Sequence, residues 1–150
     1  MNNPKYDFTR LLTYRIARLQ AKLNAQATSL LRTHAQISLS EWRVIAMLSD
    51  PRVETQKDVL EAMGLDKGQV SRTMQRLSQK GLIMRMSPAE AQRERAIRLT
   101  DSGRQLLKKM TPIMMQRQAH LQSGFDAGEV DQLLDLVGKL ESKSGHLDIS

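Results

Sequence analysis

The chain has 150 residues, enough for one domain with a core of its own, and its 40% hydrophobic and 26% charged residues are those of a globular protein. Only 3% are aromatic, so Leu, Ile, Val and Met must fill the interior, and the lack of cysteine excludes disulfides, thiolate metal ligands and thiol redox sensing. A formal net charge of +7 predicts a field that attracts polyanions. No run approaches the roughly 18 apolar residues of a membrane span, and MNNPKYDFTR lacks a signal-peptide core, so no membrane partner and a cytoplasmic location are expected.

Phe8, Leu11, Leu12, Ile16, Leu19, Leu23 and Leu30 recur at helical steps and predict one long amphipathic helix over residues 6–32. Ser38 with Glu41 reads as a capping box for a short helix carrying Trp42, Ile45 and Leu48, closed by Asp50-Pro51. Thr55 with Asp58 starts a third helix, which runs to about Met63 and stops at Gly64. Asp66 with Gln69 then caps a fourth over 66–80, with Val70, Met74 and Leu77 on its apolar stripe. Gln69, Arg72, Thr73, Arg76 and Lys80 are expected to point elsewhere.

Residues 82–86 and 95–99 alternate apolar with polar, which predicts a hairpin around the polar loop SPAEAQR. Thr100 caps a fifth helix bearing Leu106, Met110, Ile113, Met114 and Leu121, with Pro112 expected to bend it. Asp126 and Glu129 cap a sixth with Val130, Leu133, Val137 and Leu140, and the tail after Ser142 reads as frayed. No internal repeat or low-complexity tract is present. The expected class is mainly α with a small β-hairpin wing, one domain over 1–150.

A short helix, a tight glycine turn and a basic helix form a helix-turn-helix, whose second helix enters the major groove. Between Asp66 and Arg98 there are eight Lys/Arg against three acids, so most of the net charge gathers there. Lys67, Gln69, Ser71, Arg72, Gln75 and Arg76 are the candidate contacts, Arg72 foremost, because Arg pairs with guanine and Gln with adenine. On the wing, Arg93 and Arg95 suit a neighbouring minor groove, and Thr55 and Gln56 at a helix start suit a phosphate.

The runs DKGQVSRTMQRLSQKGLI (66–83) and RERAIRLTDSGRQL (93–106), together with the helix order along nearly the whole chain, resemble the MarR family of winged helix-turn-helix transcription regulators. The resemblance implies a homodimer formed by intertwined N- and C-terminal helices, binding double-stranded DNA at a pseudo-palindromic operator. It further implies a repressor released by a small, often aromatic, anionic effector. In that pattern Arg93 takes the wing-tip arginine position, and Arg72 and Arg76 fall on recurrent recognition-helix positions. Ala91 departs from it, since an aspartate commonly stands two residues before that arginine. The winged helix-turn-helix lobe then spans 34–100, and 1–33 and 101–146 supply the dimerisation helices. Dimerisation is also expected from the residues alone, because long end helices with apolar stripes have too little partner surface within one chain.

Arg15, Arg18, Trp42 and Arg43 could line a cleft for an anionic effector; the competing reading makes Trp42 core and the arginines ion-paired. His34, His120 and His146 are far apart without metal-ligand spacing, so no metal is expected, and nothing calls for a cofactor. The nine methionines read as core filler. No phosphate loop, nucleophile motif or titratable cluster beside a histidine points to an enzyme. A nonspecific architectural DNA-binding protein and a dimeric protein adaptor remain alternatives.

Overall fold

The structure is a computed structural model that describes residues 7–87 and 96–145. Helices α1 (Leu12–Ala35), α2 (Leu39–Met47), α3 (Gln56–Met63) and α4 (Lys67–Gln79) precede strands β1 (Ile83–Arg85) and β2 (Ile97–Leu99). Helices α5 (Asp101–Gln122) and α6 (Ala127–Lys143) follow.

The first helix starts later than its periodicity predicts. Asp7 accepts from the Thr9 N–H at 3.0 Å and the Thr9 hydroxyl at 2.6 Å, capping a separate 3₁₀ turn, Phe8–Arg10. Leu11 is then extended, so α1 begins only at Leu12 and continues past residue 32 to Ala35. Gln36 ends it in the left-handed region, at φ 54°.

The remaining starts follow their caps. Ser38/Glu41, Thr55/Asp58 and Asp126/Glu129 all form reciprocal capping boxes, and Asp66 accepts from the Gln69 N–H at 2.9 Å. Gly64, at φ 59°, turns the chain from α3 into α4 through a conformation that a side chain would strain.

The chain divides between Thr111 and Pro112 into two units. In the first, one side chain after another from α1, α2, α3, α4, the hairpin and the start of α5 is withdrawn from water. Leu31, Val44, Ile45, Val59, Leu77 and Met110 are fully buried, and Trp42 joins them. The core is aliphatic apart from that indole. Met74 and Met110 fill it as expected of methionines, whereas Met84 is exposed.

In the hairpin Ile83 pairs with Leu99, Met84 with Arg98 and Arg85 with Ile97, antiparallel. The Met86 N–H donates to the Ala96 carbonyl at 2.8 Å, and the Ile97 N–H donates to Glu54 at 2.7 Å, tying the wing to the loop before α3. The Thr100 hydroxyl donates to the Gly81 carbonyl at 2.6 Å and accepts from the Gly103 N–H at 3.1 Å. That side chain therefore caps α5 and fastens its first turn to the end of the recognition region. The α1 C-terminus is satisfied by two lysines, Lys109 donating to His34 O at 2.5 Å and Lys80 to Gln36 O at 3.4 Å.

The second unit contains the end of α5 and α6. α5 stays helical through Pro112, although that residue has no N–H to donate. No residue of α6 is buried, and Leu133, Leu134, Leu136 and Val137 are all exposed.

Candidate nucleic-acid interface

Helix α4 packs by Val70, Met74 and Leu77, as its spacing predicts, and also by Thr73. Thr73 was expected to point outward but is buried, because its hydroxyl can donate to the Gln69 carbonyl one turn back, at 2.9 Å, and so enters the core satisfied. The opposite side leaves Lys67, Gln69, Ser71, Arg72, Gln75 and Arg76 exposed. The structure divides these candidates between two flanks.

Ser71 and Gln75 face a cavity of ≈ 310 Å³ bounded also by Gln56 of α3 and by Met84 and Arg85 of β1. One recess thus joins the recognition helix, the helix before it and the wing. Thr55 differs from Gln56: its N–H is committed to the Asp58 carboxylate at 2.8 Å and its hydroxyl accepts from the Asp58 N–H at 3.2 Å. Arg72 folds back over Gly68, where an added Cβ would come 3.2 Å from Nη1. The glycine leaves that guanidinium room beside the helix start.

Arg76 lies on the other flank, toward α2. Its Nε is 3.6 Å from Glu41 Oε1, its Nη2 donates to Thr73 Oγ1 at 3.2 Å, and Lys80 Nζ donates to Glu41 Oε2 at 2.9 Å. Lys80, expected only to point away from the apolar stripe, is therefore paired. Burial pushes the Glu41 carboxyl up, but the Ser38 N–H and the Lys80 ammonium outweigh it and hold the group below its ordinary 4.5.

The folded state thus binds this proton less readily than the unfolded chain. The resulting stabilisation is present above the ordinary value and is lost as the pH falls through the lower folded one. Urea midpoints measured from about pH 6 to about pH 3 should drop more steeply for the native chain than for Glu41→Gln once below 4.5. Parallel curves would remove Glu41 from the acid response.

Arg93, Arg95 and Ala91 lie outside the described residues. Arg15 and Arg18 are exposed on α1, the latter with its guanidinium 5.9 Å from the Tyr14 ring centroid. Trp42 is buried, and Arg43 Nη2 donates to Asn24 Oδ1 at 3.2 Å, joining α2 to α1. Among the described residues no cluster of three or more His or acidic side chains could hold a metal, and no helix is long and apolar enough to cross a membrane.

A basic helix set after a glycine turn and flanked by a two-stranded hairpin defines a winged helix-turn-helix. The profile of the MarR family matches residues 35–94, from the end of α1 into the wing. A MarR/EmrR family transcriptional regulator from Acinetobacter sp. ADP1 is 32% identical, with 87% of this chain and 92% of that chain covered at a TM-score of 0.82. This chain belongs to the MarR family of transcription regulators. The fold is also that of Staphylococcus aureus MepR in its DNA complex, at 24% identity, 89% and 96% coverage and TM-score 0.79. Bordetella bronchiseptica BpsR, whose DNA binding is regulated by 6-hydroxynicotinic acid, shares it at 18% identity, 91% and 98% coverage and TM-score 0.71.

Proposed function

We propose that the protein is a homodimeric, sequence-specific repressor that sets α4 in the major groove of a pseudo-palindromic operator and is released by a small anionic effector. The observation that carries the reading is the outward side of α4, where Lys67, Ser71, Arg72 and Gln75 are exposed and where Ser71 and Gln75 share a recess with the wing. Thirteen residues make a helix about 20 Å long, which fits a groove about 12 Å wide. Arg72 and Gln75 are the base readers, Gln56 and Lys67 hold phosphate, and Arg93 and Arg95 enter the minor groove.

The two-fold arrangement rests on apolar side chains that a lone chain leaves in water. They are Phe8, Leu12, Ile16 and Leu19 at the start of the chain, and Leu133, Leu134, Leu136 and Val137 on α6. Residues 1–33 and 101–146 accordingly form the dimer, and 34–100 the reading lobe. The effector reading has support from chemistry alone: Arg15 and Arg18 on α1 and Arg43 on α2 supply positive charge, and the aromatic Trp42 precedes Arg43 in sequence. A chain of the same fold, BpsR, responds to an aromatic acid.

The test is selection of bound duplexes from a random pool. An inverted repeat with half-sites about 10 base pairs apart is expected. Uniform recovery of all sequences, with affinity set by salt alone, would make the protein an architectural binder and end this reading.

A further inference from the structure

Glu41 and Thr73 are the buried polar side chains among the described residues, and both bind Arg76. Withdrawing a carboxylate from water is costly unless its partners repay the lost hydration. Starting α2 does not require it. The exposed Glu129 serves α6 in the same reciprocal box, so a capping carboxylate can stay in water. Burial at residue 41 therefore answers to something beyond the cap.

The geometry at Arg76 shows what it holds. Nε and Nη2 lie along one edge of the guanidinium plane; Nε forms an ion pair with Glu41 at 3.6 Å and Nη2 donates a hydrogen bond to Thr73 at 3.2 Å. Lys80, at 2.9 Å from the other carboxylate oxygen, keeps Glu41 from turning away. The side chain of Arg76 is nevertheless 48% exposed, and its Nη1 makes no bond among the described residues. An arginine clamped by one edge presents the end with Nη1 and Nη2 as a two-donor fork, matched to a pair of acceptor oxygens or to guanine O6 and N7.

We infer that Glu41 and Thr73 are positioning residues for DNA recognition: they fix the Arg76 guanidinium so that its free end meets a paired acceptor on the duplex, without touching DNA themselves. The inference rests on the proposed operator binding. It gives Arg76 a role distinct from that of Arg72, which the described residues leave unclamped. The ordering of a long side chain before binding removes that cost from the association step.

A double-mutant cycle tests it, using the duplex recovered by selection and a shuffled duplex of the same composition. Glu41→Gln keeps the shape and removes the charge; Thr73→Val keeps the shape and the charge balance and removes the hydroxyl. In the native background each variant, checked by circular dichroism to be folded at the assay temperature, should weaken binding to the selected duplex by about tenfold, the scale of one charged contact. In the Arg76→Ala background neither should change it more than about twofold. A loss seen on the selected duplex and not on the shuffled one identifies the acceptor as a base edge, whereas a loss shared by the shuffled duplex identifies it as phosphate.

Equal losses with and without Arg76, or no loss in either, would overturn the positioning role. Should Glu41→Gln fail to fold, Thr73→Val alone decides, since it leaves every charge in place. If the native chain does not distinguish the two duplexes, the operator-binding reading itself has failed. A native chain that discriminates without coupling between residue 76 and residues 41 or 73 refutes only this inference.

Discussion

Gly103→Ala should cost about 3 kcal/mol of stability or prevent the first unit from folding, at or beyond the upper end for overpacking a core. A Cβ at that position would stand 2.1 Å from the Leu82 carbonyl oxygen and 3.2 Å from its carbon. The obstacle is backbone, and it is held on every side. Leu82 O accepts from the Thr100 N–H at 3.1 Å, the Leu82 N–H donates to Leu77 O at 3.0 Å, and the Thr100 hydroxyl ties Gly81 at 2.6 Å. Relief would require α5 to lift off the turn that ends the recognition region.

Gly138→Ala on α6 makes the comparison, because in the single chain nothing lies within 4 Å of an added Cβ there and, unless the second copy packs against that position, the change should stabilise the helix by about 0.5–1 kcal/mol. Urea unfolding of the two variants beside the native chain gives both values. A neutral Gly103→Ala would mean that α5 does not start against Leu82.

The second large effect concerns assembly. Leu133 and Val137 lie one turn apart on α6 and are 49% and 44% exposed in the single chain. If a second copy covers them, replacing both by glutamate puts two carboxylates into an apolar interface, where each charge would remain without a partner. Light scattering should then report a monomer at micromolar concentration. Affinity for a duplex with two half-sites should fall by a factor on the order of 10² to 10⁴, because the second half-site is no longer bound by a tethered partner. A variant that stays dimeric with unchanged affinity would place the interface elsewhere.

Most of the reading lobe was legible because its signals are local. A capping box uses residues three apart, and Ser38 with Glu41 and Thr55 with Asp58 start their helices where the pattern puts them. Gly64 and the alternation around residues 83–85 and 97–99 are equally short-range. The start of α1 was misplaced for a related reason: the apolar repeat continues through Phe8 and Leu11, but Asp7 captures Thr9 and diverts the chain first.

What escaped the sequence depends on groups far apart in it. Nothing near residue 41 tells a solvated capping glutamate from a buried one; its partners Arg76 and Lys80 lie 35 and 39 positions away. Thr73 was assigned to the polar side by residue type, although a hydroxyl that returns to the preceding turn is free to enter a core. Gly103 carried a signal that could have been used: a glycine in the first turn of a strong helix pattern is costly unless something must approach closely. The contact candidates on α4 were chosen by residue type, and the structure sets Ser71 and Gln75 against a recess and Arg76 against Glu41 and Thr73.

In the proposed function the outward side of α4 reads bases, twice, in a symmetric pair of chains. Repeating the duplex selection with Arg72→Ala tests it most directly. The substitution should cost about 1–3 kcal/mol in affinity and relax the preference at one base pair, in mirrored positions of both half-sites. An unchanged base preference at every position, or a change in one half-site only, would contradict it.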